Sequence, residues 1–288
     1  MERARHAAMS AGRDCSRAEL GWHYIMDSAG QRGRSDRIGC AGWSIPKQIE
    51  AEFSAGGSHL HRYSARFNCC EINSSFYRPH KLETWERWAS SVPADFRFSV
   101  KFPKAITHEA KLNCGTDMVS AFVRQIVLLR EKLGPVLVQL PPSLEFDRDR
   151  AKKFLTVFRE IHSGDIVFEP RHISWFDESV ERLLEEFRVA RVAADPACVP
   201  VAARPAGWSR LAYFRLHGSP RMYYSAYSSE FLDRLSAQLT SVVPSSEVWC
   251  VFDNTAAGYA IENALALQSK IVRAIATPAP GSPSKIGS

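Results

Sequence analysis

The chain lacks most of the features that assign a protein at first reading. No apolar run approaches the roughly 18 residues needed to cross a bilayer. Residues 1–22, MERARHAAMSAGRDCSRAELGW, carry charge throughout and have no apolar h-region, which argues against a secretory signal peptide. There is no H-E-x-x-H and no C-x-x-C, so these usual sequence signatures of a zinc site are missing. The seven cysteines are odd in number and read as free thiols of a reducing compartment. Adjacent Cys69 and Cys70 are expected on opposite faces of one strand. The net charge is a modest +6 over 288 residues, and residues 1–37 alone hold seven Arg against five acids. No broad basic face is implied, although local contact with nucleic acid stays open. The expectation is a soluble, cytoplasmic protein that meets no membrane.

What is present is regular punctuation. Short apolar runs occur at Ile38–Ala41, Cys69–Ile72, Phe96–Val100, Val136–Leu140, Ile166–Phe168, Val189–Ala193, Leu211–Leu216 and Val248–Phe252. Most of the intervening stretches have helical periodicity: 83–91, 116–133, 149–162, 177–188, 229–240 and 257–274. In 116–133 a Thr or Asp is expected as cap and Gly134-Pro135 as the stop. Segment 44–66 reads as two short helices sharing a loop, and 194–210 shows no convincing helix. Eight strand-like runs alternating with helices predict an α/β fold, a single-domain (β/α)₈ TIM-type barrel over 37–275. An open doubly wound sheet would carry a Gly-rich phosphate loop after its first strand, whereas CAGWSIPK stands there. Residues 1–36 and the Pro/Gly/Ser-rich 276–288 are expected to be disordered extensions.

In such a barrel, chemistry collects at the C-terminal ends of the strands. Read in order, those ends supply Trp43; Glu71, Asn73 and Tyr77; Lys101, Thr107 and His108; Gln139; Glu169, Arg171 and Trp175; Asp195; Arg215 and His217; Asp253 and Asn254. Residues two apart on a strand share a face, so Glu71 with Asn73, Glu169 with Arg171 and Arg215 with His217 are expected to face one mouth, while His172 points away. Each group has a bland alternative: a structural ion pair for Glu169 and Arg171, backbone capping for Gln139, core packing for Trp43, Tyr77 and Trp175.

The stretches IGCAGWS, CEINSSFYRPH, FRFSVKFPKAITHE, LGPVLVQLPPSL, FEPRHISWF, YFRLHGSPRMYYSAY and VFDNTAAGYAIENAL together resemble the DUF72, or YecE-like, family. The resemblance runs from about residue 38 to 272, and it implies a TIM-type barrel without an established biochemical activity. It places the family's signature positions on Gly42, Trp43, Glu71, Asn73, Phe76, Tyr77, Lys101, Thr107, His108, Gln139, Pro141, Glu169, Arg171, Trp175, Arg215, His217, Gly218, Tyr227, Asp253 and Asn254.

Sorted by charge, the rim mixes cations with acids. Arg presents a planar fork suited to phosphate or carboxylate, so Lys101, Arg171 and Arg215 are expected to hold an anionic small molecule or nucleotide. His217 or His108 would move a proton near neutral pH, with Glu71 or Glu169 orienting it. Asn73, Tyr77, Gln139, Trp43, Trp175, Tyr227 and Asn254 complete the expected binding surface, the aromatics by stacking on a sugar or base. The leading reaction is hydrolysis of a phosphoester or phosphodiester. The alternatives are non-catalytic binding of an anionic metabolite or nucleic acid, and glycoside hydrolysis by a Glu71/Glu169 pair. No metal ligand is assigned and a divalent metal is not favoured, because Arg or Lys lies beside the acids.

Overall fold

The computed structural model describes residues 36–276, so the expectations for the chain ends fall outside them, apart from Asp36 and Ala276. Among the described residues the strands are β1 (Arg37–Ala41), β2 (Cys69–Ile72), β3 (Arg97–Lys101), β4 (Leu133–Gln139), β5 (Ile166–Glu169), β6 (Val189–Arg191), β7 (Ala193–Asp195), β8 (Ala206–Gly207), β9 (Leu211–Leu216) and β10 (Glu247–Phe252). The α-helices are α1 (His59–Ser64), α2 (Leu82–Ser90), α3 (Thr116–Ile126), α4 (Arg148–Ile161), α5 (Glu178–Glu186), α6 (Ser229–Thr240) and α7 (Tyr259–Ala276).

The sheet runs β7-β9-β10-β1-β2-β3-β4-β5-β6-β8, parallel throughout except where β8 pairs antiparallel with β6. The expected sixth run divides at Val192. Its first half, β6, pairs with β5 and its second half, β7, with β9, while Val192 N donates to Phe168 O at 2.8 Å. One stretch thus joins both sides of the ring, giving the parallel barrel expected from the sequence. After β7 a 3₁₀ turn, Pro200–Ala203, and β8 stand where a helix would otherwise follow.

Local chemistry explains most boundaries. Asp147, Asp177 and Ser228 each accept a backbone N–H from the first turn of α4, α5 and α6, as short polar caps do. α5 buries Val180, Leu183 and Leu184, a spacing that lays one apolar face on the sheet. The third helix departs from expectation: its cap is Gly115, without a side-chain bond, and the α-helix ends at Ile126. A 3₁₀ segment follows, interrupted at Arg130 with φ 54°. Gly134 and Pro135 then open β4 rather than stop a helix. A Cβ on Gly134 would lie 2.7 Å from the Trp249 ring, so the close approach of β4 to that indole requires glycine.

Alternation along the strands makes two layers. Cys70, Phe98, Val138, Phe168 and Phe214 belong to the shell under the helices. Cys69, Leu137, Val167, Tyr213, Trp249 and Val251 fill the barrel interior, with Tyr213 stacked on Trp249 at 6.0 Å. Cys69 and Cys70 therefore do face opposite sides. Above this apolar plug the inward positions change character, to Glu71, Lys101, Gln139, Glu169, Arg215 and Asp253. Among the described residues no helix is long and apolar enough to cross a membrane.

Candidate active site at the C-terminal mouth

Arg215, near the end of β9, organises the upper barrel. Its Nε and Nη2 form a fork onto Glu71 of β2, at 3.0 Å to Oε2 and 2.7 Å to Oε1. Nη2 also meets Asp253 Oδ2 at 3.0 Å, and Nη1 meets Glu169 Oε2 at 3.3 Å. Arg215, Glu71 and Glu169 are each fully buried. Burial alone would weaken the guanidinium as an acid-holding group, but Asp253, Glu71 and Glu169 hold its pKa well above the ordinary value. Burial would likewise raise Glu169; Arg171, His217 and Arg215 prevail and hold it well below the carboxylate range. Asp253 is also lowered, by Arg215 and the His217 hydrogen bond against burial. A buried charge set of this kind persists only because every member is paired.

The imidazole of His217 sits between two acids, Nε2 at 2.8 Å from Glu169 Oε1 and Nδ1 at 3.0 Å from Asp253 Oδ2. Arg171 Nη2 lies 2.5 Å from the same Nε2 and 2.5 Å from Glu169 Oε1. Glu169 asks Nε2 to donate and Arg171 asks it to accept, so a proton at this atom decides which contact is a hydrogen bond. Gln139 donates to Glu169 Oε2 at 3.1 Å. Below them, Tyr213 Oη lies 3.0 Å from both Glu71 Oε2 and Ser99 Oγ. Burial and the neighbouring Glu71 raise the phenol well above its usual pKa, so it keeps its proton and donates.

Across the mouth stands Lys101, whose Nζ lies 4.1 Å from the centroid of the Phe76 ring. Phe76 also receives the edge of His108, with centroids 4.9 Å apart. His108 belongs to a π-helical turn, Ala105–Glu109, that follows β3, and its Nδ1 is 2.9 Å from Thr107 Oγ1. Burial and then Lys101 lower its pKa, leaving it uncharged at neutral pH.

The expected residues divide by this geometry. Glu71, Gln139, Glu169, Arg171, Arg215 and His217 come together in one hydrogen-bonded set, with Asp253 as an added member. Arg215 is not placed to receive a ligand: with no exposure and every nitrogen held by a carboxylate, it fixes the acids instead. Glu71 orients Arg215, and it is Glu169 and Asp253 that hold His217. Considered as a glycosidase pair, Glu71 and Glu169 share one buried arginine, and Glu169 is held well below the carboxylate range, which disfavours it as the proton donor.

Several aromatics leave the mouth. Trp175 is buried on the helix side of β5, with Nε1 donating to Leu144 O at 2.8 Å and its ring against Phe146. Trp43 packs edge-on against Trp88 and Phe98. Tyr77 is 68% exposed and lines a cleft of about 290 Å³ with Phe76, Ile106, Met118 and Phe122. Tyr227 is spent on the loop after β9: its hydroxyl meets Asp195 Oδ1 and accepts Gly218 N, both at 2.8 Å. Asn254 donates to Ser225 O and to Asn263 Oδ1, tying the same loop to α7. Asn73 occupies the cap position of a 3₁₀ turn, without a capping bond.

That loop delivers a residue that spacing could not reveal. Gly218 turns the chain at φ +92°, and a Cβ there would lie 2.9 Å from Ser225 O. Tyr223, itself at φ 68°, then folds back so that its N donates to His217 O at 2.5 Å. Its ring stands edge-on over the His217 imidazole at 5.7 Å. The YYSAY stretch hinted at aromatics, but only the left-handed backbone brings this one to the mouth.

A closed parallel barrel whose upper interior is a buried ionic set, roofed by a histidine and a tyrosine, defines the class. The description "protein of unknown function DUF72" matches residues 37–285, and the chain belongs to that family. It is 33% identical over 175 residues to the UPF0759 protein YecE of Escherichia coli K12, covering 58% of this chain and 61% of that one. The chain thus spans about three fifths of that relative's length. It is 23% identical to the UPF0759 protein YunF of Bacillus subtilis, covering 78% and 91%. A crystal structure of a DUF72 family protein of Thermotoga maritima superposes with a TM-score of 0.71 at 26% identity, covering 82% and 98%. One from Enterococcus faecalis reaches 0.70 at 21%, covering 83% and 96%, which speaks to the fold alone.

Proposed function

We propose that the mouth is the active site of an enzyme acting on a phosphorylated or otherwise anionic substrate. One observation carries the reading: Arg215 is held on every side by the buried acids Glu71, Glu169 and Asp253, which leaves Lys101 and Arg171 as the cations bordering the opening. Arg171 keeps some exposure, 14% for its side chain, and offers a fork to phosphate or carboxylate. His217 is the proton carrier, since its Nε2 lies between an acceptor, Glu169, and a donor, Arg171. An anion that draws Arg171 forward frees that nitrogen to act on the substrate. Tyr223 covers the imidazole and limits its contact with water.

Phosphoester and phosphodiester hydrolysis are the reactions to assay first, with nucleotides and single strands among the substrates. Among the described residues no three His, Cys, Asp or Glu side chains are grouped to hold a metal ion, so assays are run with and without a divalent cation. The purified chain is screened against phosphomonoesters, dinucleotides and abasic DNA. Turnover that falls sharply in both His217→Ala and Arg171→Ala supports the assignment. Full activity in either variant refutes it, and tight anion binding without turnover under every condition points to a binding protein instead.

A further inference from the structure

One amine in the mouth is left outside the ionic set. Lys101 ends β3 on its inner face and is 5% exposed. Glu71, Glu169 and Asp253 act on it from a distance, yet each is held by Arg215. Among the described residues no carboxylate comes within ion-pair distance of its Nζ, which lies instead over the Phe76 ring. The contrast with Lys132 is direct: that buried lysine donates to Pro93 O at 2.6 Å. A buried lysine without an anion is pushed toward the neutral amine, and a neutral amine is a nucleophile. Burial, reinforced by the Arg215 charge, brings Lys101 down to about 8, so a useful fraction is unprotonated near neutral pH.

We propose that Lys101 is the nucleophile of this mouth and forms an imine with the carbonyl group of an anionic aldehyde or ketone. The inference rests on the mouth being a site for an anionic substrate and narrows the class of that substrate. The lone pair of Nζ adds to the carbonyl carbon, and the displaced C=O pair goes to oxygen. The nitrogen gives up a proton and the oxygen takes one. A second proton on that oxygen lets it leave as water, the C–O bond breaks, the nitrogen lone pair closes the C=N bond, and the remaining N–H proton returns to the group that supplied the second one. Amine and carbonyl become imine and water, with no oxidant or reductant. His108, uncharged and in edge contact with the same Phe76 ring, is the group on the same rim that can carry the proton. Arg171 holds the substrate's anionic group.

The full chain is incubated separately with pyruvate, dihydroxyacetone phosphate and pyridoxal 5′-phosphate, reduced with borohydride, and analysed by intact mass and peptide mapping. The expected result is one adduct per chain at Lys101 with at least one probe. The adduct is lost in Lys101→Arg, whose circular dichroism matches the parent, and suppressed by inorganic phosphate. Adducts confined to exposed lysines, adducts that persist in Lys101→Arg, or no adduct with any probe overturn the proposal. Inorganic phosphate binding, measured by calorimetry in the parent and in Arg171→Ala, separates the two readings. Arg171-dependent binding without an adduct removes the imine chemistry alone, whereas absence of both removes the anion site as well.

Discussion

Replacing Lys101 with methionine keeps an unbranched side chain, one heavy atom shorter, and removes its charge, which tests the energetics of the mouth without a ligand. Bringing a lysine from 10.5 down to about 8 corresponds to about 3 kcal/mol set against folding at pH 7. The lost contact with the Phe76 face returns about 1 kcal/mol, so Lys101→Met is expected to be more stable than the parent by about 2 kcal/mol at pH 7. The sign follows from proton counts. Between pH 8 and 10.5 the unfolded chain binds more protons at this lysine than the folded one, so the parent gains stability as pH rises through that window. The methionine variant has no such term, and the difference shrinks toward pH 10.5. Urea unfolding of both proteins at pH 7 and pH 10 reads this directly, because every other titrating group is shared and cancels. A variant that is no more stable at pH 7, or a difference that is the same at both pH values, refutes the account of Lys101 as an unpaired buried amine. A side chain that costs stability yet stands at the mouth fits a site kept for chemistry rather than for folding.

The ionic set makes two further predictions. Arg215→Met leaves Glu71, Glu169 and Asp253 buried together without their shared cation, and a loss of about 3–5 kcal/mol is expected; chemical denaturation that shows less than about 1 kcal/mol would contradict the central role given to this arginine. The lowered pKa values of Glu169 and Asp253 mean that their contribution to stability is fully present above about pH 4 and is lost as pH falls through the folded values. Urea midpoints should therefore decline as pH falls from about 4 to about 2, and a flat profile would count against it.

Much of the architecture was legible because it depends on short-range pattern. Apolar runs of strand length and helical spacing are local, and they placed the barrel strands within a few residues. The errors were local conflicts decided elsewhere. Gly134 and Pro135 look like a helix stop, but the Trp249 indole from β10 needs a glycine beside it, so they became the start of a strand. Trp175 follows a rim arginine by four residues, yet the 3₁₀ turn after β5 folds back under the helices and buries it against Phe146.

The sequence by itself determined the layering and the rim: period-two alternation brings Glu71, Lys101, Gln139, Glu169, Arg215 and Asp253 to one face, and parallel strands bring that face to one end. Tertiary structure alone decided who pairs with whom. Arg215 reaches Glu71 across 144 residues, and only closure of the ring makes that acid, Glu169 and Asp253 its partners at once. With all three acids held there, Lys101 is left without one. The same closure, with a left-handed turn at Gly218 and at Tyr223, sets a tyrosine over His217. Side-chain direction follows from local backbone, but the distances among charges on five different strands follow from the barrel, and the chemistry of this mouth rests on those distances.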